Sequence, residues 1–136
     1  MDKVNLSELN EVEKSILMEL TDFNSSLRQV AIDMHFEDTC QSVGKKFETA
    51  EHAIIHLLEM GLISIQKNKY RKLPHNEITL VKSEELSFKA AIEHMQHPAN
   101  WMSDHGMESD LIYFEIAPTD TGEVALDALF EYQAKT

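Results

Sequence analysis

The chain has 136 residues, with 24 acidic and 12 basic side chains, and a formal charge of −12 with histidines neutral. That length fits one domain and argues against a two-domain, multi-step enzyme. Apolar residues make up 43% and charged residues 26%, which excludes a disordered chain; the acidity disfavours binding nucleic acid or anionic membrane through the whole surface but leaves room for a local basic patch.

Leu6, Leu9, Val12, Ile16, Leu17, Leu20 and Phe23 recur at three- and four-residue steps and predict an amphipathic first helix, with Asn5 and Glu8 placed as its capping pair. Asn24-Ser25-Ser26 breaks the pattern, and Leu27, Val30, Ala31 and Met34 mark a second helix ending near Phe36. Residues 37–46 are polar and read as a loop. A third helix is expected over about 48–60, with Ala50, Ala53, Ile54, Leu57 and Leu58 as its buried stripe and Gly61 as its left-handed end. Leu62, Ile63 and Ile65 begin a strand, Lys67 to Lys72 read as a solvated hairpin tip, and Ile78, Leu80 and Val81 suggest a second strand. A fourth helix is expected over 84–97, an irregular stretch over 98–110, a strand over 111–116, a turn from Thr119 to Gly122 and a last helix from Val124.

Resolved along the chain, residues 1–23 carry a net charge of −4, residues 24–82 carry +1 and residues 83–136 carry −9. The bases gather in the middle: Lys67, Lys69, Arg71 and Lys72 surround Tyr70, and Lys45 and Lys46 form a smaller pair. Such a cluster is either a solvated loop tip or a patch for phosphates.

Three helices followed by a strand hairpin is the order of a winged helix-turn-helix domain. Leu57-Leu58-Glu59-Met60-Gly61-Leu62-Ile63 resembles the junction between recognition helix and wing in bacterial winged-helix regulators, and Thr119-Asp120-Thr121-Gly122 with Leu126 resembles the threonine-x-x-glycine turn that leads from the last wing strand into a closing helix. Pro118 stands where a leucine is usual before that threonine. The resemblance covers residues 6–66 well and 111–130 loosely. It implies an α+β fold: a winged-helix core of three helices and a β-hairpin wing over residues 5–82, with an acidic α/β C-terminal extension over 83–136, in one compact unit. The usual wing returns within several residues. Here either Ile78–Val81 is the return strand and 83–136 is appended, which is preferred, or residues 67–110 are an insertion.

The resemblance further implies a DNA-binding transcriptional regulator. Arg28, Lys45, Lys46, Lys67, Lys69, Arg71 and Lys72 would hold phosphates, Tyr70 would stack or pack on sugar, and Thr49, His52 and His56 would approach the groove. Against this, Glu48, Glu51 and Glu59 are expected on the outer face of the third helix, where phosphates would repel them and no arginine stands ready to clamp a guanine. The alternative is a winged-helix protein-interaction module with no DNA role, whose acidic last third binds a basic partner. Trp101, Met102, Met107, Tyr113, Phe114, Phe130 and Tyr132 in that third either pack on the core or form a partner surface, and a homodimer is expected.

His52 and His56, one helical turn apart with Cys40 upstream, could chelate a metal ion, as could His94 and His97 with Glu93 and His105. Both sets read better as a polar helix face and a helix end before Pro98. Glu37 and Asp38 beside Cys40 would oppose thiolate formation. With glycines only at 44, 61, 106 and 122, no P-loop or GxGxxG can be written, and no nucleophile elbow is present. No metal, cofactor or enzyme activity is expected. One cysteine excludes an internal disulfide, and the absence of an export signal or an apolar run near the length of a membrane span predicts a cytoplasmic protein with no membrane partner.

Overall fold

A computed structural model describes residues 6–21, 24–37, 42–102 and 112–134. Among these the chain is α+β, with six α-helices and one three-stranded antiparallel sheet. The helices are α1 (Glu11–Glu19), α2 (Leu27–Glu37), α3 (Val43–Glu59), α4 (Phe88–Met95), α5 (Ala99–Met102) and α6 (Asp120–Ala134), and the strands are β1 (Ile63–Lys72), β2 (Ile78–Glu85) and β3 (Ile112–Pro118). This order is compatible with a winged-helix-like arrangement. None of these helices is long and apolar enough to cross a membrane.

Side-chain caps decide where the helices begin. A 3-10 turn at Leu6–Glu8 precedes α1, and the capping box is formed by Asn10 and Glu13. The Asn10 side chain accepts the Glu13 N–H at 2.8 Å, and the Glu13 carboxylate accepts the Asn10 N–H at 2.9 Å. The pair expected at Asn5 and Glu8 is thus displaced by five residues, and Asn5 lies outside the described residues. Ser42 caps α3 by accepting the Lys45 N–H at 3.2 Å, so the helix starts inside the stretch read as a loop and Lys45 and Lys46 belong to its first turns. Ser87 likewise caps α4, so Glu84 and Glu85 end β2 and do not open the fourth helix. Within the irregular stretch, α5 forms one turn, held to α4 by the Trp101 ring N–H donating to the Met95 carbonyl at 2.8 Å. Residues 103–110 lie outside the described residues.

The end of α3 is a Schellman motif. Leu62 N–H donates to the Leu57 carbonyl, Gly61 N–H donates to the Leu58 carbonyl, both at 3.0 Å, and Gly61 takes φ 72°. This fulfils the expectation for Gly61. β1 then runs ten residues, through the whole basic cluster, so Lys67 to Lys72 are strand and not a hairpin tip. The tip lies at Leu73–Glu77, where His75 and Asn76 both have positive φ.

β1 is the middle strand of the order β2-β1-β3. β2 is its hairpin partner, and β3 lies on its other edge with Ile63 opposite Pro118 and Ile65 opposite Ile116. Ser25, between α1 and α2, bridges to Ile116. The described residues of 83–136 therefore share the sheet and the core with the rest of the chain. Leu17, Ile54, Leu57, Leu62, Ile65 and Ile116 are fully buried, and Met95, Trp101, Leu126 and Leu129 join the same cluster.

The two sequence motifs meet in space. Thr119 N–H donates to the Leu62 carbonyl at 3.0 Å, the Thr119 hydroxyl donates to the Gly61 carbonyl at 2.5 Å, and its oxygen accepts the Gly122 N–H at 3.0 Å. Thr119 so caps α6, which starts at Asp120 where only a turn was expected. A Cβ on Gly122 would lie 1.9 Å from the Leu62 carbonyl oxygen, whereas one on Gly61 would meet nothing within 4 Å. Gly122→Ala is expected to destabilise the protein by about 3 kcal/mol or more through overpacking against backbone. Gly61→Ala should cost only the left-handed penalty, about 1–2 kcal/mol. Urea unfolding followed by circular dichroism separates the two; equal losses would refute the close approach at Gly122.

Candidate nucleic-acid interface

Side chains alternate across a strand, and directly opposed residues of antiparallel neighbours share a face. On one face of β1 the series is Ile63, Ile65, Lys67, Lys69, Arg71: apolar where the sheet covers the core, cationic beyond it. Lys82 on β2 lies opposite Lys69, Glu84 lies opposite Lys67, and a bulge at Lys69/Tyr70 brings Thr79 opposite Arg71. Lys67, Lys69, Arg71 and Lys82 thus gather on one face of the hairpin with Glu84 as the acid among them, and Lys72 falls on the other face opposite Ile78. Two lysines directly opposed weaken a strand pair. Among the described residues, no ion pair joins Lys69, Arg71, Lys72 or Lys82 to a carboxylate. Lys82 escaped the sequence reading because its membership depends on strand register.

Phe114 of β3, opposite Lys67, closes the inner end of this face. The Lys67 ammonium stands 5.9 Å from the Phe114 ring centre, and the His94 ring of α4 stacks on Phe114 at 4.1 Å. Burial first, then the neighbouring charge of His97, pushes His94 down to about 4, so it stacks as a neutral ring at neutral pH.

The opposite face of the hairpin is cross-linked. The Tyr70 hydroxyl donates to Glu115 Oε2 at 2.8 Å, the Asn68 amide donates to the same oxygen, and the Ser83 hydroxyl donates to Asn68 Oδ1 at 2.6 Å. The Tyr70 ring meets Tyr113 edge-on at 5.3 Å, and Asn68 is 3% exposed. Tyr70 thereby ties β1 to β3; it does not stand free to stack on a nucleotide, as the sequence reading had it.

The helix residues divide differently. Lys45 is exposed on α3, 3.8 Å from Glu48. His52 and Glu59 are exposed as well, while Glu51 is half-buried. The Thr49 hydroxyl donates back to the Lys45 carbonyl at 2.9 Å. His56 Nδ1 lies 2.5 Å from Glu13 Oε2, so this histidine partners the buried carboxylate of the α1 capping box and is not offered to a groove. Lys46 is 5% exposed and is not a surface cation. Together with exposed Arg28 it lines a cleft between α2 and α3. The structure therefore assembles Lys67, Lys69 and Arg71, adds Lys82, leaves Lys72 on the opposite face, buries Lys46, and ties His56 to Glu13 and Tyr70 to Glu115.

Among the described residues no three His, Cys, Asp or Glu side chains converge on a point where a metal could bind. Cys40 and His105, invoked for the two candidate chelates, lie outside the described residues. Comparison with protein-family models, curated proteins and solved structures gives no match for this chain.

Burial and, next, donation to Glu115 push the Tyr70 phenol up from 10.0 to about 12. Between those two values the unfolded chain sheds this proton while the folded chain keeps it, so stability should fall as pH rises through that window. Ultraviolet titration of the three tyrosines should show one component near 12, and Glu115→Gln should move that component down. A component unmoved by Glu115→Gln would break the assignment.

Proposed function

We propose that this chain is a winged-helix transcriptional regulator that binds duplex DNA, chiefly through phosphates held by the cationic face of the β1–β2 hairpin, and acts as a homodimer. The observation that carries this reading is the register of Lys69 against Lys82 between Lys67 and Arg71, in a chain of net charge −12. Like charges opposed across a strand pair cost stability, and a polyanion laid along them relieves that cost. The winged-helix part rests on the helix order, the Schellman end of α3 feeding β1, and the Thr119–Gly122 turn leading into α6. Of the two readings of the wing, each accounts for one edge of β1: β2 is the hairpin return, and β3 joins from beyond the intervening segment.

Glu48 and Glu59 on the outer face of α3 disfavour base readout by that helix, so the expected binding is strong in its salt dependence and weak in its sequence preference. The homodimer rests on β2, an edge strand whose Ile78, Leu80 and Val81 are about half exposed. Such an edge is a template for pairing with another strand.

One observation favours the alternative, a protein-interaction module. On α6, Asp120, Glu123, Asp127 and Glu131 are exposed at helical spacing beside exposed Val124 and Phe130, a face suited to a basic partner.

Fluorescence anisotropy with mixed-sequence duplex DNA distinguishes the two. Binding should be measurable at low salt and should fall steeply as salt rises. Lys69→Gln with Lys82→Gln should lower the salt slope by about 2, near 0.9 per phosphate contact, and weaken binding about tenfold or more. Lys72→Gln, on the other face, should have the smaller effect. Lys82→Glu should weaken binding and yet raise stability by about 0.2–1 kcal/mol, since it sets opposite charges across from Lys69. Absence of binding at low salt, or full binding by the double variant, would overturn the DNA reading and leave the acidic α6 face as the functional surface.

A further inference from the structure

Two clefts flank Trp101. One, about 480 Å³, has Glu51 and Gln96 among its lining residues and no lysine or arginine among the described ones. The other, about 520 Å³, lies between α2, the first turns of α3 and α5, and is lined by Ile32, Phe47, Trp101 and Met102 together with Arg28 and Lys46. Its described lining holds two cations and no carboxylate, the reverse of the chain's overall balance. Trp101 is a fixed wall, held by its bond to the Met95 carbonyl and by edge-on contact with Phe47 at 5.7 Å and 87°. Val43 and Met102 at its mouth are 61% and 69% exposed, an apolar surface left open to solvent.

We propose that this second cleft binds a small amphipathic organic anion: a carboxylate on an apolar body of about ten carbon atoms, a size suited to a pocket in the ordinary ligand-binding range. The apolar body lies against Ile32, Phe47, Trp101 and Met102, and the carboxylate meets Arg28 at the rim and Lys46 within. Arg28 supplies a planar fork that matches a carboxylate in two parallel hydrogen bonds. Lys46 keeps a partner within the protein, and its ammonium has three donors, so it can add a second cationic contact at the inner end of the cleft. The site does not depend on DNA contact by the hairpin, since it shares no residue with the strand cations.

Trp101 is the only tryptophan, so its emission reports directly on the cleft. The full chain is titrated with decanoate, decanol and decyltrimethylammonium, each below its micelle concentration, with Trp101 fluorescence and calorimetry as readouts. Decanoate is expected to give a saturable one-to-one response, about tenfold or more tighter than decanol, since a charged hydrogen bond is lost with the alcohol. The ammonium compound should bind weakest. Arg28→Gln, at an exposed position that leaves the fold intact, should weaken decanoate about fivefold or more while leaving decanol unchanged, in line with loss of one charged contact. Lys46→Met should do the same, and where that variant does not fold, Arg28→Gln decides. No saturable response to decanoate, equal affinity for decanol, or an Arg28→Gln variant that binds decanoate as before would each overturn the proposal.

Discussion

The rest of the molecule depends on one backbone contact, the seating of Leu62 against Thr119 and Gly122. The Gly61 and Leu62 carbonyls point out of the turn that ends α3 and need donors. Thr119 supplies both, with its hydroxyl and its N–H, from 58 residues away in sequence in the case of the hydroxyl. Gly122 lacks a Cβ, and the space a Cβ would take is filled by the Leu62 carbonyl. Once this contact is made, Ile63 must lie opposite Pro118, and the register of β3 on β1 follows residue by residue. β1 becomes the central strand, β2 is left as the outer edge, and the far half of the hairpin extends past the core. The cationic face exists because the strand leaves the core in this register.

That geometry reconciles a strongly acidic chain with a basic surface. Along one face of β1 the residues pass from Ile63 and Ile65 to Lys67, Lys69 and Arg71. Lys67 marks the change, with its charge over the ring of Phe114 and its partner strand offering Glu84. Beyond it, Lys82 adds a cation where an acid would have stabilised the pair. Acids are plentiful elsewhere, on the outer faces of α3 and α6. Their absence from this stretch is a local departure from a composition that would have supplied one.

Much of the helical architecture was legible because an amphipathic helix writes its buried face into three- and four-residue steps. Gly61 and the Thr119–Gly122 turn were legible because left-handed backbone and helix caps restrict residue type. The strand through Lys72 was not, since its outer half has no buried apolar face and hence no alternation to detect. The early start of α3 was hidden by Lys46, which reads as polar but is buried by the helix packing around it. The tethering of His56 to Glu13 and of Tyr70 to Glu115 joins residues 43 and 45 apart. Pattern along the chain carries no information about such pairs. Lys82 was missed for the same reason: the spacing of bases singled out the cluster on β1, but only the pairing of β2 shows which cations share its face.

The two faces of the hairpin divide the demands placed on it. A cationic face weakens the pairing of its own strands, because each added like charge opposes it. The opposite face supplies what it lacks: Tyr70, Asn68 and Ser83 converge by hydrogen bonds on Glu115 or on one another and span all three strands. This network has one charge and several neutral donors, so the cost of shielding the Glu115 carboxylate from water is offset by hydrogen bonds provided Tyr70 keeps its proton. The raised phenol pKa expresses that condition, since a phenolate beside Glu115 would bring two anions together in a partly desolvated place. Tyr70 therefore contributes to the candidate nucleic-acid surface indirectly. It holds β1 to β3, while the Ser83–Asn68 bond on the same face ties β1 to β2, the pair across which Lys69 and Lys82 oppose each other.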